Sequence, residues 1–151
     1  MTECELKYLV PKEQFENILS LFSGGVSKTQ TNHYYDTSDF FYRKNNTTIR
    51  KRDEIVEKKE HLSNDVSIEA VIDLPNNVIC YGSLTTCRTS FQISDGMKIE
   101  FDKNEYLDIT DYEIEIEYDN KLKAMELVNK LGLTAQNNIS KSERFFRTLQ
   151  T

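Results

Sequence analysis

Three short stretches set charge at every second residue, and in each the charge is of a kind that does chemistry. TECELKY, Thr2 to Tyr8, puts Glu3, Glu5 and Lys7 on one side of an extended chain. DYEIEIEY, Asp111 to Tyr118, does the same with Glu113, Glu115 and Glu117, and TTIRKR, Thr47 to Arg52, with Arg50 and Arg52. Successive strand side chains point to opposite faces, so each stretch is a ladder of charge on a single face. Carboxylate oxygens suit hard divalent cations, and Arg or Lys holds phosphate oxygens. Gathered in one place, the two signs would suit a polyanion bridged to the protein by metal.

Where the ladders point depends on the elements that carry them. The opposite faces hold Cys4, Leu6 and Tyr8; Ile49; and Tyr112, Ile114, Ile116 and Tyr118. The stretch from Met97 to Asp102 alternates likewise, with Lys98, Glu100 and Asp102 against Met97, Ile99 and Phe101. One arrangement is an open sheet, its apolar face covered by helices and its charged face in water. Against it, three glutamates in line repel one another, and alternation alone would accept Lys, Thr or Gln there. Acidic ladders on two strands and a basic one on a third favour a closed barrel with a charged lumen.

Pro11 and the spacing of Phe15, Ile18, Leu19 and Phe22 predict a helix from Pro11 to Phe22. Leu122 to Leu131, stopped at Gly132, predicts a second. Strands are expected over Lys28 to Asp36, Thr47 to Arg52, Val66 to Leu74 and Thr86 to Ile93, the last turning at Ser94-Asp95-Gly96 into Met97 to Asp102. The densely charged Glu54 to Asn64 fits a strand, a loop or a frayed connection, and Ser140 to Arg147 a strand or a short helix. About eight strands and two helices give an α+β class around an antiparallel sheet, in one domain over 1–151.

Composition narrows the partners. A net charge of −6 argues against a nucleic-acid binder, since phosphate backbones reward a basic surface. Three cysteines without C-x-x-C spacing predict reduced thiols, and no apolar run approaches a membrane span. A soluble cytoplasmic protein is expected.

E-C-E-L-K at Glu3 to Lys7 resembles the E-x-E-x-K signature of the CYTH superfamily, the triphosphate tunnel metalloenzymes. NHYYDT at Asn32 to Thr37, the R-x-R strand, E-I-E-I-E at Glu113 to Glu117 and SKSERFF at Ser140 to Phe146 follow in the family's order. GSLTTCR, Gly82 to Arg88, resembles a stretch of small Gram-positive CYTH proteins. The resemblance implies an eight-stranded antiparallel β-barrel, a triphosphate tunnel with helices packed outside, that binds triphosphate with Mg²⁺ or Mn²⁺. It implies metal-ligand roles for Glu3, Glu5, Glu113, Glu115 and Glu117, catalytic roles for Glu3, Glu5, Lys7 and Glu115, and phosphate-holding roles for Lys7, Arg50, Arg52, Arg88 and Lys141. Glu69, Asp102 and Arg144 are secondary candidates. The implied activity is hydrolysis of a triphosphate, foremost inorganic triphosphate. Alternatives are a class IV-type adenylyl cyclase, a thiamine or nucleoside triphosphatase, and a non-catalytic polyphosphate or nucleotide binding module. A small-molecule partner is implied rather than nucleic acid or membrane, and relatives often form homodimers.

The chain departs from the family after Arg52, where relatives carry a T-x-T-x-K strand and this sequence reads DEIVEKKEHLSND. An abbreviated tunnel wall or missing residues would follow. Lys58 or Lys59 is a substitute for the family's lysine, with alternation letting only one face inward. His33 and His61 are expected to be structural or solvent-facing, and Tyr34 and Tyr35 to pack the sheet.

Overall fold

A computed structural model describes residues 1–134, 136 and 139–151. Eight antiparallel strands close a barrel: β1 (Thr2–Val10), β2 (Val26–Asp36), β3 (Thr47–Arg52), β4 (Ile55–His61), β5 (Val66–Val71), β6 (Ile79–Ser94), β7 (Met97–Tyr106) and β8 (Ile109–Tyr118). Around the ring they run β1-β5-β4-β3-β2-β6-β7-β8, and β8 pairs back onto β1. Register aligns the ladders: Glu5 lies opposite Glu117 and Lys7 opposite Glu115, while Glu100 and Asp102 face Glu115 and Glu113. Shared parity sends all of these side chains to one side of the wall.

The apolar core therefore sits outside the barrel. Leu6, Ile99, Phe101, Ile114 and Ile116 are fully buried beneath α1 (Lys12–Leu19) and α3 (Lys121–Leu131). Helix α1 contributes Phe15 and Ile18, with the Phe15 ring edge-on to Phe101 at 5.7 Å. Helix α3 is capped by the Asn120 side chain, which accepts from the Lys123 N–H, and ends in left-handed Gly132. These two helices cover the outer face around β1, β7 and β8, where the sequence predicts an apolar face.

The supposed gap after Arg52 is a strand. Asp53 and Glu54 both take positive φ, 51° and 66°, and turn the chain tightly into β4, which pairs with β3 and β5 and completes the wall. The expectation of an abbreviated tunnel is thereby corrected.

The tail is a helix, α4 (Lys141–Leu149), with the Ser140 hydroxyl accepting from the Glu143 N–H. It does not lie outside the barrel as α1 and α3 do. Lys141 reaches Asp102 on β7 and Glu113 on β8, whereas the Ser142 hydroxyl meets Thr48 on β3, three strands from β7 and four from β8 around the ring. The start of α4 thus spans one end of the lumen. Phe145 and Phe146 anchor it against Tyr34, Leu84 and Tyr106. Gly82 makes room: a Cβ there would come within 2.9 Å of the Phe145 ring. A four-residue helix, α2 (Phe41–Lys44), completes that end, its N–H groups at Tyr42 and Arg43 held by the Asp36 carboxylate.

Candidate active site

The inward faces enclose a cavity of about 230 Å³. Glu3, Glu5 and Lys7 from β1, Arg50 and Arg52 from β3, Glu69 from β5, Arg88 from β6, Glu115 and Glu117 from β8, and Lys141 from α4 all line it. Asp102 and Glu113, both fully buried, share the same side of the wall. Arg144 stands one helical turn from Lys141, behind Glu113.

Most of these charges are already paired, in two groups. In the first, Lys59 donates to Glu3 at 3.0 Å and lies 3.5 Å from both Glu5 and Glu69, while Arg50 pairs with Glu69 at 3.2 Å. Burial would lower the Lys59 pKa, but Glu5 and Glu3 outweigh it and hold the ammonium above its ordinary value. Burial, reinforced by the neighbouring Glu115, pushes the Glu5 carboxyl well up. In the second group Lys141 sits 2.8 Å from Asp102 and 2.6 Å from Glu113 and also contacts Glu115. Arg144 donates to Glu113 at 2.8 Å and to Asp111 at 3.1 Å. Arg88 grips Asp102 through two bonds of 2.8 Å and reaches Glu100 and Glu115. Buried carboxylates of this kind persist because each has a cation in contact.

Arg52 is different. Its Nε donates to Asn32 Oδ1 at 2.7 Å, and among the described residues no carboxylate lies within ion-pair distance.

Sequence reasoning overlooked part of the lining. Lys59 faces inward and Lys58 pairs with Glu60 on the other side, settling which lysine enters the lumen. Glu57 and His61, from the same strand, line the cavity as well. The solvent-facing reading of His61 is therefore corrected; its Nε2 is 2.9 Å from the Thr48 hydroxyl, which in turn meets Ser142 at 2.8 Å. Burial, then the charges of Lys59, Lys7 and Arg50, push the imidazole down to about 4, so it is neutral at ordinary pH. Tyr34 also faces the lumen, under Phe145, whereas His33 and Tyr35 face the outer side of β2.

A CYTH domain family model matches residues 1–146. The chain belongs to the CYTH domain family. Among solved structures, it is 25% identical to a candidate adenylate cyclase from Bacillus halodurans, covering 95% of this chain and 97% of that one with a TM-score of 0.79. The candidate adenylyl cyclase HpAC1 from Hippeastrum, described as having a dominant triphosphatase activity, is 20% identical over 96% and 95% of the two chains, TM-score 0.75. The mimivirus capping enzyme triphosphatase shares the fold at 12% identity over 99% and 90%, TM-score 0.55. No protein of curated function matches.

The CYTH lumen contains one tight oxygen cluster among the described residues. Asp102, Glu113 and Glu115 each offer a carboxylate oxygen, all within 4.8 Å of one another. An all-oxygen donor set suits a hard divalent cation, so these residues could hold a metal ion. This trio includes Asp102, a secondary candidate from sequence.

Within the trio the two glutamates diverge. Burial, only partly offset by Lys141, pushes Glu113 up to about 7. Burial acts on Glu115 too, but there Lys141, a hydrogen bond from Glu113 and Arg88 more than reverse it and hold the group well below its ordinary value. Between pH 4.5 and 7 the folded state thus keeps a proton on Glu113 that the unfolded chain has released. Stability is lost as pH rises through that window, by up to about 3 kcal/mol. Glu113→Gln cannot titrate. Relative to the parent, it is expected to gain about that much between pH 4.5 and 8 in urea unfolding. The difference cancels His61, whose lowered pKa acts in the opposite direction over pH 4 to 6.5. Parallel curves for parent and variant would refute the shift.

Proposed function

We propose that this CYTH domain hydrolyses a small-molecule triphosphate with the help of Mg²⁺ or Mn²⁺, inorganic triphosphate foremost. The observation that carries the choice is the character of the cavity. Its lining is almost wholly charged or polar, and among the described residues its only rings are Tyr34, packed against Phe145, and His61, hydrogen-bonded to Thr48. A phosphate chain has charged and polar partners along the whole space, whereas the described lining offers a purine little apolar surface. The triphosphatase activity named for the Hippeastrum relative points the same way.

In this reading water attacks the terminal phosphorus, the bridging P–O bond breaks, and pyrophosphate leaves. Arg52, Arg50, Lys7, Arg88 and Lys141 hold the phosphate oxygens, and phosphoryl transfer depends mainly on such positioning and charge. Glu5, whose affinity for a proton burial raises, accepts the proton of the attacking water. Asp102, Glu113 and Glu115, with Glu3 and Glu117 nearby, supply the metal's oxygen ligands. When bound, the ion neutralises phosphate charge and activates water. We place the activity in the cytoplasm, independent of nucleic acid and membrane; among the described residues no helix is long and apolar enough to cross a membrane.

Incubation with inorganic triphosphate, ATP and thiamine triphosphate, each with Mg²⁺ or Mn²⁺, tests the proposal. Orthophosphate and pyrophosphate should appear fastest from inorganic triphosphate. Cyclic AMP from ATP would make the protein a cyclase, and tight binding without turnover would make it a binding module.

A further inference from the structure

The Asp102–Glu113–Glu115 cluster already encloses a cation of the protein's own. Lys141 Nζ lies 2.8 Å from Asp102 Oδ2 and 2.6 Å from Glu113 Oε1, and contacts Glu115 Oε1. The same three carboxylates are the ones whose oxygens converge closely enough for a divalent ion. One cage cannot hold both charges at contact distance.

The geometry limits what can move. Helix α4 is pinned by Phe145 and Phe146 and by Arg43, which donates to both oxygens of Glu143 at 2.8 and 3.0 Å. Lys141 is its first residue, so its backbone is fixed. Its four-carbon stem is the free part, ending in a point charge that needs no planar partner. Arg88 and Arg144, by contrast, are fixed by several directed bonds each. Tethering also gives the ammonium an effective concentration that a free ion must outcompete.

We propose that Lys141 is a built-in competitor for the divalent cation, filling the Asp102–Glu113–Glu115 cage without metal and swinging onto the substrate's phosphate oxygens when metal enters. This rests on the metal-dependent reading above and adds an exchange at one named side chain. It makes metal binding weak in the absence of substrate. It also couples metal and triphosphate positively, because the phosphate chain offers the displaced ammonium a new partner, and such coupling is reciprocal.

The test is Mn²⁺ binding to the substrate-free protein, read as loss of the free-ion electron paramagnetic resonance signal. Lys141→Met should bind Mn²⁺ at least about tenfold more tightly than the parent, since a like charge leaves the site. A merely supporting lysine predicts unchanged or weaker binding, and either result overturns the proposal. Should that variant not fold, the parent suffices: the ¹⁵Nζ resonance of Lys141 should shift as Mg²⁺ is added. A resonance that stays put, whether Mg²⁺ binds elsewhere or not at all, also overturns it. Failure of the functional reading is distinguishable, because it would appear as absence of turnover on every triphosphate, whereas the exchange is measured without substrate.

Discussion

Excess chelator is expected to abolish triphosphate hydrolysis, and Glu5→Gln to raise the Mg²⁺ or Mn²⁺ concentration for half-maximal rate by roughly tenfold or more. The reason lies in the charge of the lumen. Among the described residues seven acids and seven bases line the cavity, with Asp102 and Glu113 buried behind them, so it offers a polyanion no net attraction. Lys59, Arg50, Arg88, Lys98 and Lys141 all lie against carboxylates. A triphosphate that displaced those carboxylates unaided would leave them buried and unpaired, which is costly. Added divalent charge gives the freed carboxylates a partner and the phosphate oxygens another. Glu5→Gln keeps the shape and removes one carboxyl oxygen ligand beside Lys59 and Lys7. Glu115→Gln should act likewise from the facing strand. Glu16, exposed on α1 and paired with Lys12 at 3.9 Å, is the control and should change little. Full turnover in excess chelator, or an unaltered metal requirement in both lumen variants, would remove metal from the mechanism.

The residues that carry these expectations differ in how openly the sequence displayed them. On β1, β7 and β8 charge alternates with large apolar side chains, because one face meets the lumen and the other meets α1 and α3. That contrast shows the strand and the direction of its faces together. Strand β4 has no such contrast. Glu57, Lys59 and His61 face in, Lys58 and Glu60 face out, and both sides are charged; among the described residues none of this strand joins the apolar core beneath α1 and α3. Its hairpin was hidden as well: Asp53 and Glu54 take left-handed conformations without the glycine that usually marks such a turn. Helix α4 was legible in one feature that its mixed aromatic and charged pattern obscured. Ser140 followed three residues later by Glu143 is the spacing of a capping box, and the Ser140 hydroxyl does accept from the Glu143 N–H. That spacing fixes the helix and brings Lys141 and Arg144 to neighbouring turns, both over Glu113. Nothing in the sequence, however, says that the helix lies across the barrel end; that follows from contacts between residues far apart in the chain.

Arg52→Ala is expected to weaken triphosphate binding by roughly 10- to 100-fold at saturating metal, with kcat falling less than kcat/KM. Arg52 stands apart among the lumen cations because its hydrogen bond goes to a neutral amide, that of Asn32. Burial, then the like charges of Arg50 and Arg88, lower its pKa from the ordinary value, a sign that the guanidinium lacks a full counter-charge. A phosphate oxygen pair would supply one, in the planar two-bond geometry that Arg favours. Arg52→Lys should recover only part of the affinity, since it restores the charge and not the fork. The same isolation makes a second outcome specific. Losing Arg52 strands no carboxylate, so the variant should unfold at nearly the parent's urea midpoint, whereas Arg88→Ala would leave Asp102, Glu100 and Glu115 short of a partner and cost about 3 kcal/mol or more. Lys51, next in sequence but of opposite parity and paired with Glu54, is the control on the outer face. Calorimetry showing equal triphosphate affinity for parent and Arg52→Ala would take Arg52 out of the phosphate-binding set. It would also leave its unpaired charge without an explanation in substrate binding.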